Sequence, residues 1–264
     1  MLQKIITICN AKGGVGKTTS TASIGACMAI MGKKVLLVDL DGQANLTLYF
    51  IPDDDAIEVS IFDSLVDGVP LPIINVKENL DIVPSSLEMA SAEIALTNLI
   101  AREQLLGKLL SEVKDRYDYI LIDCPPSLGI VTTNAFLAAD EIFVPMTPEL
   151  LPLKGMRMLD NFISTLQRVK PSVCLKGVFT TRFNHRNLNK AVENAVRTRY
   201  KDIMLNTRIR ENIALAESAG SGNSIFEYDA DSNGAKVNVP SKMQFPSEAD
   251  DRIPQPGQKP FQWK

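Results

Sequence analysis

The chain has 264 residues, of which 45% are hydrophobic and 22% charged, as in a globular protein with one sizeable core or two small ones. Its net charge of −3 excludes binding to nucleic acid through overall charge, so any basic surface must be local. No apolar run reaches the roughly 18 residues of a membrane span, and the short apolar run 5–9 leads into glycines. We therefore expect neither a membrane segment nor a secretory signal.

The four cysteines stand singly in apolar or loop contexts, at Cys9, Cys27, Cys124 and Cys174. None belongs to a CxxC pair, so the spacing does not indicate a metal or redox motif. We expect all four to be buried, reduced thiols of a cytosolic protein.

Strand-like and helix-like segments alternate from residue 4 to about residue 204. The predicted strands are residues 4–9, 34–40, 80–85, 117–125, 141–148 and 174–183. The predicted helices are residues 17–31, 87–114, 134–140, 153–169 and 187–200. The apolar run KVLLVDL must be covered on both of its faces. The pattern predicts an α/β fold, a doubly wound and mostly parallel sheet with helices on both faces.

Residues 10–20, NAKGGVGKTTS, join the first strand to the first helix and fit the phosphate-loop pattern G-x-x-x-x-G-K-[ST] with its first position relaxed. We expect backbone N–H groups of this loop to surround the phosphates, and the N-terminus of the helix to add a partial positive charge. These N–H groups belong to Gly13, Gly14, Val15 and Gly16. Lys17 is expected to reach the β- and γ-phosphates, the Thr18 hydroxyl to bind Mg²⁺, and Thr19 to contact an α-phosphate. The strand–loop–helix order favours ATP or ADP with Mg²⁺ over a glycine-rich turn without a ligand.

Carboxylates follow two further strands. The segment VLLVDLDGQAN contains Asp39 and Asp41, and YILIDCPPS contains Asp123. Ligands of open α/β sheets lie outside the carboxyl ends of the strands, so these side chains should face the phosphate loop. Asp123 follows four apolar residues, as a Walker B carboxylate does. We expect Thr18, Asp41 and Asp123 near the metal, although each aspartate taken alone could be a solvated strand end.

The segment 182–210 contains eight Lys or Arg and two acidic residues, a net +6 in 29 residues. A basic segment on an acidic protein is typical of DNA binding without sequence preference, because phosphates dominate that affinity. A solvated helix face is the alternative. The residues expected to contact DNA are Arg182, Arg186, Lys190, Arg197, Arg208 and Arg210.

The composition changes near residue 232. Residues 232–264 contain five prolines, few aliphatic residues and no periodicity. We expect two parts, a phosphate-loop domain at 1–231 and an extended or disordered tail at 232–264.

Several segments together resemble the ParA/Soj group of partition ATPases, within the deviant Walker A family that includes MinD. They are KGGVGKTT, VLLVDLDGQAN, YDYILIDCPPSLG and NAFLAADEIFVPMTPELLPLKG, and the resemblance spans about residues 4–235. It implies a slow, partner-stimulated, Mg²⁺-dependent ATPase that dimerises with ATP and binds DNA without sequence preference. It further implies plasmid or chromosome partition with a ParB-like centromere-binding protein, in the cytoplasm and at the nucleoid.

The resemblance also implies roles for individual residues. Lys12 matches the signature lysine that reaches the phosphates of the partner subunit in an ATP-dependent homodimer. Asp41 matches the carboxylate that handles the attacking water, and Asp123 the one near Mg²⁺. Asn212 matches an asparagine near the adenine, and Arg186 a common DNA-contacting arginine.

Two departures from the family pattern stand out. Gly42 lies where relatives commonly have proline, which indicates a looser switch segment. The run IRENIALAES places Glu211 and Ala214 where relatives often carry arginines, which weakens the DNA-binding prediction.

Three alternative functions each need a feature that can be sought in the sequence. A MinD-like membrane-surface ATPase regulating division-site placement needs a C-terminal amphipathic helix, which the prolines at 246, 254, 256 and 260 oppose. An electron-transfer iron protein needs two cysteines that bridge a cluster, and a GTPase needs an N-K-x-D motif. The MinD-like function is the alternative that stays open, and a partition ATPase without membrane binding is the main prediction.

Overall fold

Eight strands form one sheet in the computed structural model, which describes residues 3–53, 57–149, 152–184, 186–232 and 235. The strands are β1 (Lys4–Ile8), β2 (Val35–Asp39), β3 (Ile74–Lys77), β4 (Leu80–Val83), β5 (Tyr119–Asp123), β6 (Glu141–Met146), β7 (Leu175–Phe183) and β8 (Met204–Arg210). Their order is β3-β4-β2-β5-β1-β6-β7-β8. All neighbours pair in parallel except β3 and β4. The predicted mostly parallel α/β fold is confirmed.

Helices cover both faces of this sheet. The helices are α1 (Lys17–Ile30), α2 (Asn45–Phe50), α3 (Ile61–Val66), α4 (Ala92–Ala95), α5 (Leu105–Ser111), α6 (Ile130–Ala138), α7 (Pro152–Leu166), α8 (Asn187–Tyr200), α9 (Ile213–Gly220) and α10 (Ile225–Tyr228). On one face α1 and α2 bury apolar side chains against the sheet, and on the other α3 to α8 do so. β2 is buried at every position, which explains its continuous apolar run.

The carboxyl ends of the three central strands meet at one edge. β5 lies between β1 and β2, and all three run in the same direction. Asp123 at the end of β5 is in register with Ile8 on one side and with Asp39 on the other. The phosphate loop and both carboxylate-bearing strand ends therefore open on the same edge.

The long helix predicted over residues 87–114 is wrong, because the segment is broken into short pieces. These are single turns of 3₁₀-helix at Leu87–Ser91 and Leu96–Asn98, the one-turn α4, and α5. Ala101 adopts a positive φ of 53°, which interrupts the helical path before α5. The Asn134 side chain holds the break, since it donates to the Arg102 carbonyl at 2.7 Å and accepts from the Leu106 N–H at 3.0 Å.

Two strands were not predicted from the sequence. β3 is a four-residue antiparallel strand at one edge. β8, at the other edge, begins with two buried residues, then alternates exposed and half-buried positions, and carries part of the basic segment. Helix α6 begins at Ile130, four residues before the predicted start.

Of the predicted C-terminal tail, residues 232–264, only residues 232 and 235 are among the described residues. The domain boundary therefore stays a prediction. Within the described part of the chain, no helix has the length and apolar character to cross a membrane.

The cysteine prediction is right for three residues and wrong for one. Cys9, Cys27 and Cys124 are buried, whereas Cys174 is exposed just before β7. Burial raises the pKa of Cys27 to about 11 and also raises the pKa of Cys124. Since the thiolate is the reactive form, the buried thiols should be inert.

We predict that the folded protein reacts with a thiol-specific aromatic disulfide reagent at one cysteine per chain, Cys174. The four thiols of the sequence should all react after unfolding in guanidinium chloride. Release of the coloured thiolate at pH 8 measures both numbers, and a Cys174→Ser variant should lack the fast phase. A second thiol that reacts within the same minutes in the folded protein would contradict the burial of the other three.

Candidate nucleotide-binding site

The phosphate loop is a turn between β1 and α1 that depends on glycine. Gly14 and Gly16 adopt positive φ angles of 69° and 82°, a region that side chains disfavour. Gly16 is also the N-cap of α1, so the loop ends at the positive pole of that helix. These two glycines allow the backbone to curl around an anion, as the sequence predicts.

Two neighbouring strands hold the loop at its two ends. The Asn10 amide donates to the Pro145 carbonyl at 2.7 Å and its oxygen accepts from the Lys12 N–H at 3.0 Å. The Thr181 hydroxyl, from β7, donates to the Val15 carbonyl at 2.7 Å. The loop is therefore fixed by side chains that the sequence analysis did not single out.

The two lysines of the loop lie in different environments. Lys17 is buried, and its ammonium donates to the Lys12 carbonyl at 3.3 Å inside the loop. The Lys12 side chain is 49% exposed and forms an ion pair with Glu149. The hydrogen bond from Lys12 holds the pKa of Glu149 below its usual range. One cation thus lies within the loop and the other at the surface beside it.

Thr18 and Asp123 bring a hydroxyl and a carboxylate together. The Thr18 hydroxyl donates to Asp123 Oδ2 at 2.6 Å, and the Thr21 hydroxyl lies 3.4 Å from Asp123 Oδ1. Both Thr18 and Asp123 offer oxygen ligands, the type that Mg²⁺ prefers. No cluster of three or more His, Cys, Asp or Glu that could hold a metal occurs among the described residues, so a metal here would need oxygens from a bound phosphate as well.

Two buried carboxylates lie side by side at this edge. Asp39 and Asp123 are register partners of β2 and β5 and are inaccessible to solvent. Burial raises the pKa of Asp39 to about 6. Burial and then the charge of Asp39 raise the pKa of Asp123, while Thr18 and Lys17 oppose that rise. A divalent cation would compensate this pair, so the donor set fits Mg²⁺.

The raised pKa of Asp39 determines how this group changes the stability of the fold with pH. The folded chain keeps this proton up to about pH 6, whereas the unfolded chain releases it near its ordinary pKa of 3.8. More protons are then bound by the folded state, so this group lowers the stability as pH rises across that window.

Asp41 lies in the turn between β2 and α2. Its Oδ1 accepts from the Gln43 N–H at 3.0 Å, and its carbonyl accepts from the Ala44 N–H at 2.8 Å. Its own N–H donates to Asp39 Oδ1 at 3.1 Å. The carboxylate that the family resemblance assigns to the attacking water is therefore held in a short, hydrogen-bonded turn.

Comparisons with known proteins decide the family. A family model described as an AAA domain matches residues 3–174. The sporulation initiation inhibitor protein Soj of Bacillus subtilis is 41% identical over 239 residues, which cover 89% of this chain and 94% of that protein. The chain belongs to the ParA/Soj family of partition ATPases.

Solved structures agree with this assignment. A plasmid partition protein from Borrelia burgdorferi, solved with bound AMPPNP, has a TM-score of 0.74 and 31% identity, covering 86% of this chain and 95% of that one. A cobyrinic acid a,c-diamide synthase from Mycobacterium smegmatis, with bound ADP and magnesium, has a TM-score of 0.76 and 32% identity, covering 86% and 93%. Each shares the phosphate-loop fold with this ParA/Soj-type chain.

Gly42, where ParA/Soj proteins commonly have proline, does not loosen the turn as the sequence indicated. A Cβ at residue 42 would lie 2.6 Å from the Ala90 backbone nitrogen. The turn that carries Asp41 is thus pressed against the 3₁₀ segment after β4. The glycine permits this close approach, so the turn that carries Asp41 is closely packed.

Asn212 caps a helix. Its side-chain oxygen accepts from the Ala214 N–H at 2.9 Å at the start of α9. The contact with adenine that the ParA/Soj resemblance implies for Asn212 stays a prediction. Thr19 lies in the first turn of α1, and its contact with an α-phosphate stays a prediction too.

Two of the predicted DNA-contacting arginines are bound to a buried acid. Glu193 of α8 has a side chain only 2% exposed. Arg208 Nε lies 2.9 and 3.0 Å from its two carboxylate oxygens, and Arg197 lies 3.2 Å from one of them. The Arg208 guanidinium also stacks over the Phe183 ring at 5.0 Å. These arginines compensate a buried charge, a role that the charge count did not reveal.

The other predicted DNA contacts differ from these two. Arg186, Lys190 and Arg210 are exposed, and none forms an ion pair with another residue in the described ranges. Arg182 forms a 3.4 Å ion pair with Glu211, and both side chains are 58% exposed. The acid at position 211 therefore partly neutralises the basic surface.

Other residues of the site escaped sequence reasoning. Asn10 and Glu149 flank recognised motifs and could have been found as polar residues that follow strands β1 and β6. Thr181 stands inside a strand, and only the sheet order places it beside the loop.

We predict that Gly42→Ala lowers the free energy of unfolding by about 1–3 kcal/mol, because the added methyl must displace the Ala90 backbone. Gly155→Ala is the matched control, since a Cβ there meets nothing within 4 Å in helix α7. Urea unfolding of both variants measures the difference. Equal stability of Gly42→Ala and wild type would contradict the close packing of the turn.

Proposed function

We propose that the protein is a Mg²⁺-dependent partition ATPase that forms a homodimer when it binds ATP and binds DNA without sequence preference. A ParB-like centromere-binding protein stimulates its hydrolysis, and the protein acts at the nucleoid in plasmid or chromosome partition. The observation that carries this proposal is the convergence of Lys12, Lys17, Asp41 and Asp123 on one sheet edge in a chain of the ParA/Soj family.

The residues of the loop have separate tasks in this proposal. The N–H groups of residues 13–16 and the α1 N-terminus bind the phosphates, and Lys17 moves from the Lys12 carbonyl to the β- and γ-phosphates. Thr18 and Asp123 hold Mg²⁺, which when bound neutralises charge on the phosphate oxygens. Asp41 orients the attacking water, because it lies at the same edge on a turn fixed to β2.

Lys12 connects ATP binding to dimerisation. Its side chain is half exposed and paired with the exposed Glu149, so the pair is easily broken. A lysine at that surface reaches the phosphates of a facing subunit and stabilises the charge of phosphoryl transfer, as an arginine finger does. ATP then becomes part of the dimer interface, and the dimer dissociates after hydrolysis.

The proposed DNA surface is smaller than the basic segment. Arg186, Lys190 and Arg210 supply exposed cations at the ends of β7, α8 and β8, and Arg182 adds a fourth once it leaves Glu211. Arg197 and Arg208 are left out, because Glu193 already binds them.

The MinD-like alternative makes a different prediction about surfaces. It requires binding to anionic lipid, and the residues that would carry its membrane helix lie outside the described ranges. Cosedimentation with DNA and, separately, with anionic liposomes in the presence of ATP distinguishes the two functions. Pelleting with liposomes but not with DNA would favour the MinD-like function.

We predict different defects for the two loop lysines. Lys17→Ala should weaken ADP binding about 10- to 100-fold, since it removes charge-assisted hydrogen bonds within its own subunit. Lys12→Ala should bind ADP as wild type does but neither dimerise with ATP nor hydrolyse it. Titration of a fluorescent ADP analogue and light scattering with ADP or ATP measure these effects.

The control for both variants is Lys34→Ala, which removes an exposed lysine just before β2, at the far end of that strand from the site. It should retain ADP affinity and ATP-dependent dimerisation. An equal fall of ADP affinity in the Lys12 and Lys17 variants would refute the cross-subunit role of Lys12.

We predict that the double variant Arg186→Ala/Lys190→Ala weakens DNA binding on all sequences alike. The slope of log affinity against log salt should become shallower by about 0.9 for each phosphate that the variant no longer neutralises. Arg208→Ala should instead lower the free energy of unfolding by about 1–3 kcal/mol, because it removes hydrogen bonds to the buried Glu193. An unchanged salt slope in the double variant would place the DNA surface elsewhere.

A further inference from the structure

The turn that carries Asp41 is held from two sides by hydrogen bonds. The Asp41 N–H donates to Asp39 Oδ1 at 3.1 Å. The Asp41 carbonyl accepts from the Ser85 hydroxyl at 2.8 Å. Asp39 ends β2, whereas Ser85 follows β4, so two neighbouring strands fix the backbone on either side of the Asp41 side chain.

Thr47, in helix α2, joins the two anchors. Its N–H and its hydroxyl both donate to Asp39 Oδ2, each at 2.9 Å. The same hydroxyl oxygen accepts from the Ser85 N–H at 2.8 Å. The Thr47 hydroxyl thus connects the residue that holds the Asp41 N–H to the residue that holds the Asp41 carbonyl.

Burial makes this network rigid. Asp39 and Thr47 are fully buried and Ser85 is 2% exposed, so water does not compete for these bonds. The Thr47 hydroxyl uses its one proton on Asp39 and accepts one bond from Ser85. Removal of that hydroxyl would leave a buried N–H on Ser85 without its acceptor and Asp39 with one donor fewer.

We propose that Thr47 and Ser85 are positioning residues for ATP hydrolysis, which fix the turn so that Asp41 meets the attacking water. The inference rests on the proposed function, because it takes Asp41 as the residue that handles this water. Both hydroxyls bond to protein atoms, Thr47 to Asp39 and Ser85 to the Asp41 carbonyl, so both act through the backbone of Asp41. A displacement of about 1 Å at a reacting group costs up to about 100-fold in rate.

The test uses Thr47→Val, which keeps the shape and the backbone N–H but removes the hydroxyl, and Ser85→Ala. Each should lower kcat for basal ATP hydrolysis about 10-fold or more, with the affinity for a fluorescent ADP analogue unchanged within about threefold. Thr47→Ser should restore kcat to within about threefold of wild type, because it returns the hydroxyl.

Matched controls separate positioning from general stability. Thr7→Val removes a buried hydroxyl of β1 that donates to the Ala135 carbonyl, and Ser64→Ala removes one of α3 that donates to the Pro70 carbonyl. Both make the same chemical change away from the Asp41 turn. They should keep kcat at the wild-type value, whatever they do to the midpoint of thermal unfolding.

Two outcomes would overturn the inference alone. One is wild-type kcat in both Thr47→Val and Ser85→Ala while Asp41→Ala is inactive. The other is a fall of kcat in Thr47→Val and Ser85→Ala that is no larger than the fall in a matched control with the same midpoint of thermal unfolding. Should Thr47→Val fail to fold, Ser85→Ala decides by itself, since it leaves the Thr47–Asp39 bonds in place. Normal hydrolysis by Asp41→Ala would instead refute the proposed role of Asp41 and, with it, the premise of the inference.

Discussion

The site depends on two buried carboxylates that lie side by side at the ends of neighbouring strands. Asp39 and Asp123 lie in register on neighbouring strands, out of contact with solvent, and burial raises the pKa of both, with the charge of Asp39 adding to the rise at Asp123. Lys17 and the hydroxyl of Thr18 oppose the rise at Asp123, and hydrogen bonds from Thr47 and the Asp41 N–H oppose the rise at Asp39. A divalent cation bound there together with nucleotide would compensate the two carboxylates. A fold that keeps β2 and β5 adjacent and buried is what maintains the pair.

The fold class and the phosphate loop were predictable from the sequence because both depend on local patterns. Alternating apolar runs fixed the strands, and the glycines with Lys17 marked the loop. The helix over 87–114 was wrong because its apolar spacing continues past Ala101, where a positive φ interrupts the helical path before α5 and Asn134 bonds to the Arg102 carbonyl. That contact joins residues more than thirty positions apart, and no local pattern contains it.

The sequence predicted which residues belong to the candidate site, but not how those residues contact one another. Strand-end reasoning placed Asp41 and Asp123 at one edge, yet it could not assign Thr47, Ser85 or Thr181, whose roles arise only from the sheet order. The basic segment shows the opposite error. A count of charges treats all arginines alike, whereas two of them are already paired with the buried Glu193. An acid four residues before an arginine within a basic run, as Glu193 is before Arg197, is a signal that sequence analysis could have used.

The pairing of Arg208 with Glu193 also restricts how the basic segment can vary over evolution. The Arg208 guanidinium reaches both carboxylate oxygens through Nε and lies over the Phe183 ring, with 5.0 Å between Cζ and the ring centroid, a combination that favours arginine over lysine. Position 208 is therefore expected to retain arginine. The exposed positions 186, 190 and 210 need only a mobile positive charge, so lysine and arginine are interchangeable there. Positions at which lysine and arginine replace each other among homologues would identify the surface that binds a flexible polyanion. Positions at which arginine is invariant would identify residues that stabilise the fold beneath that surface.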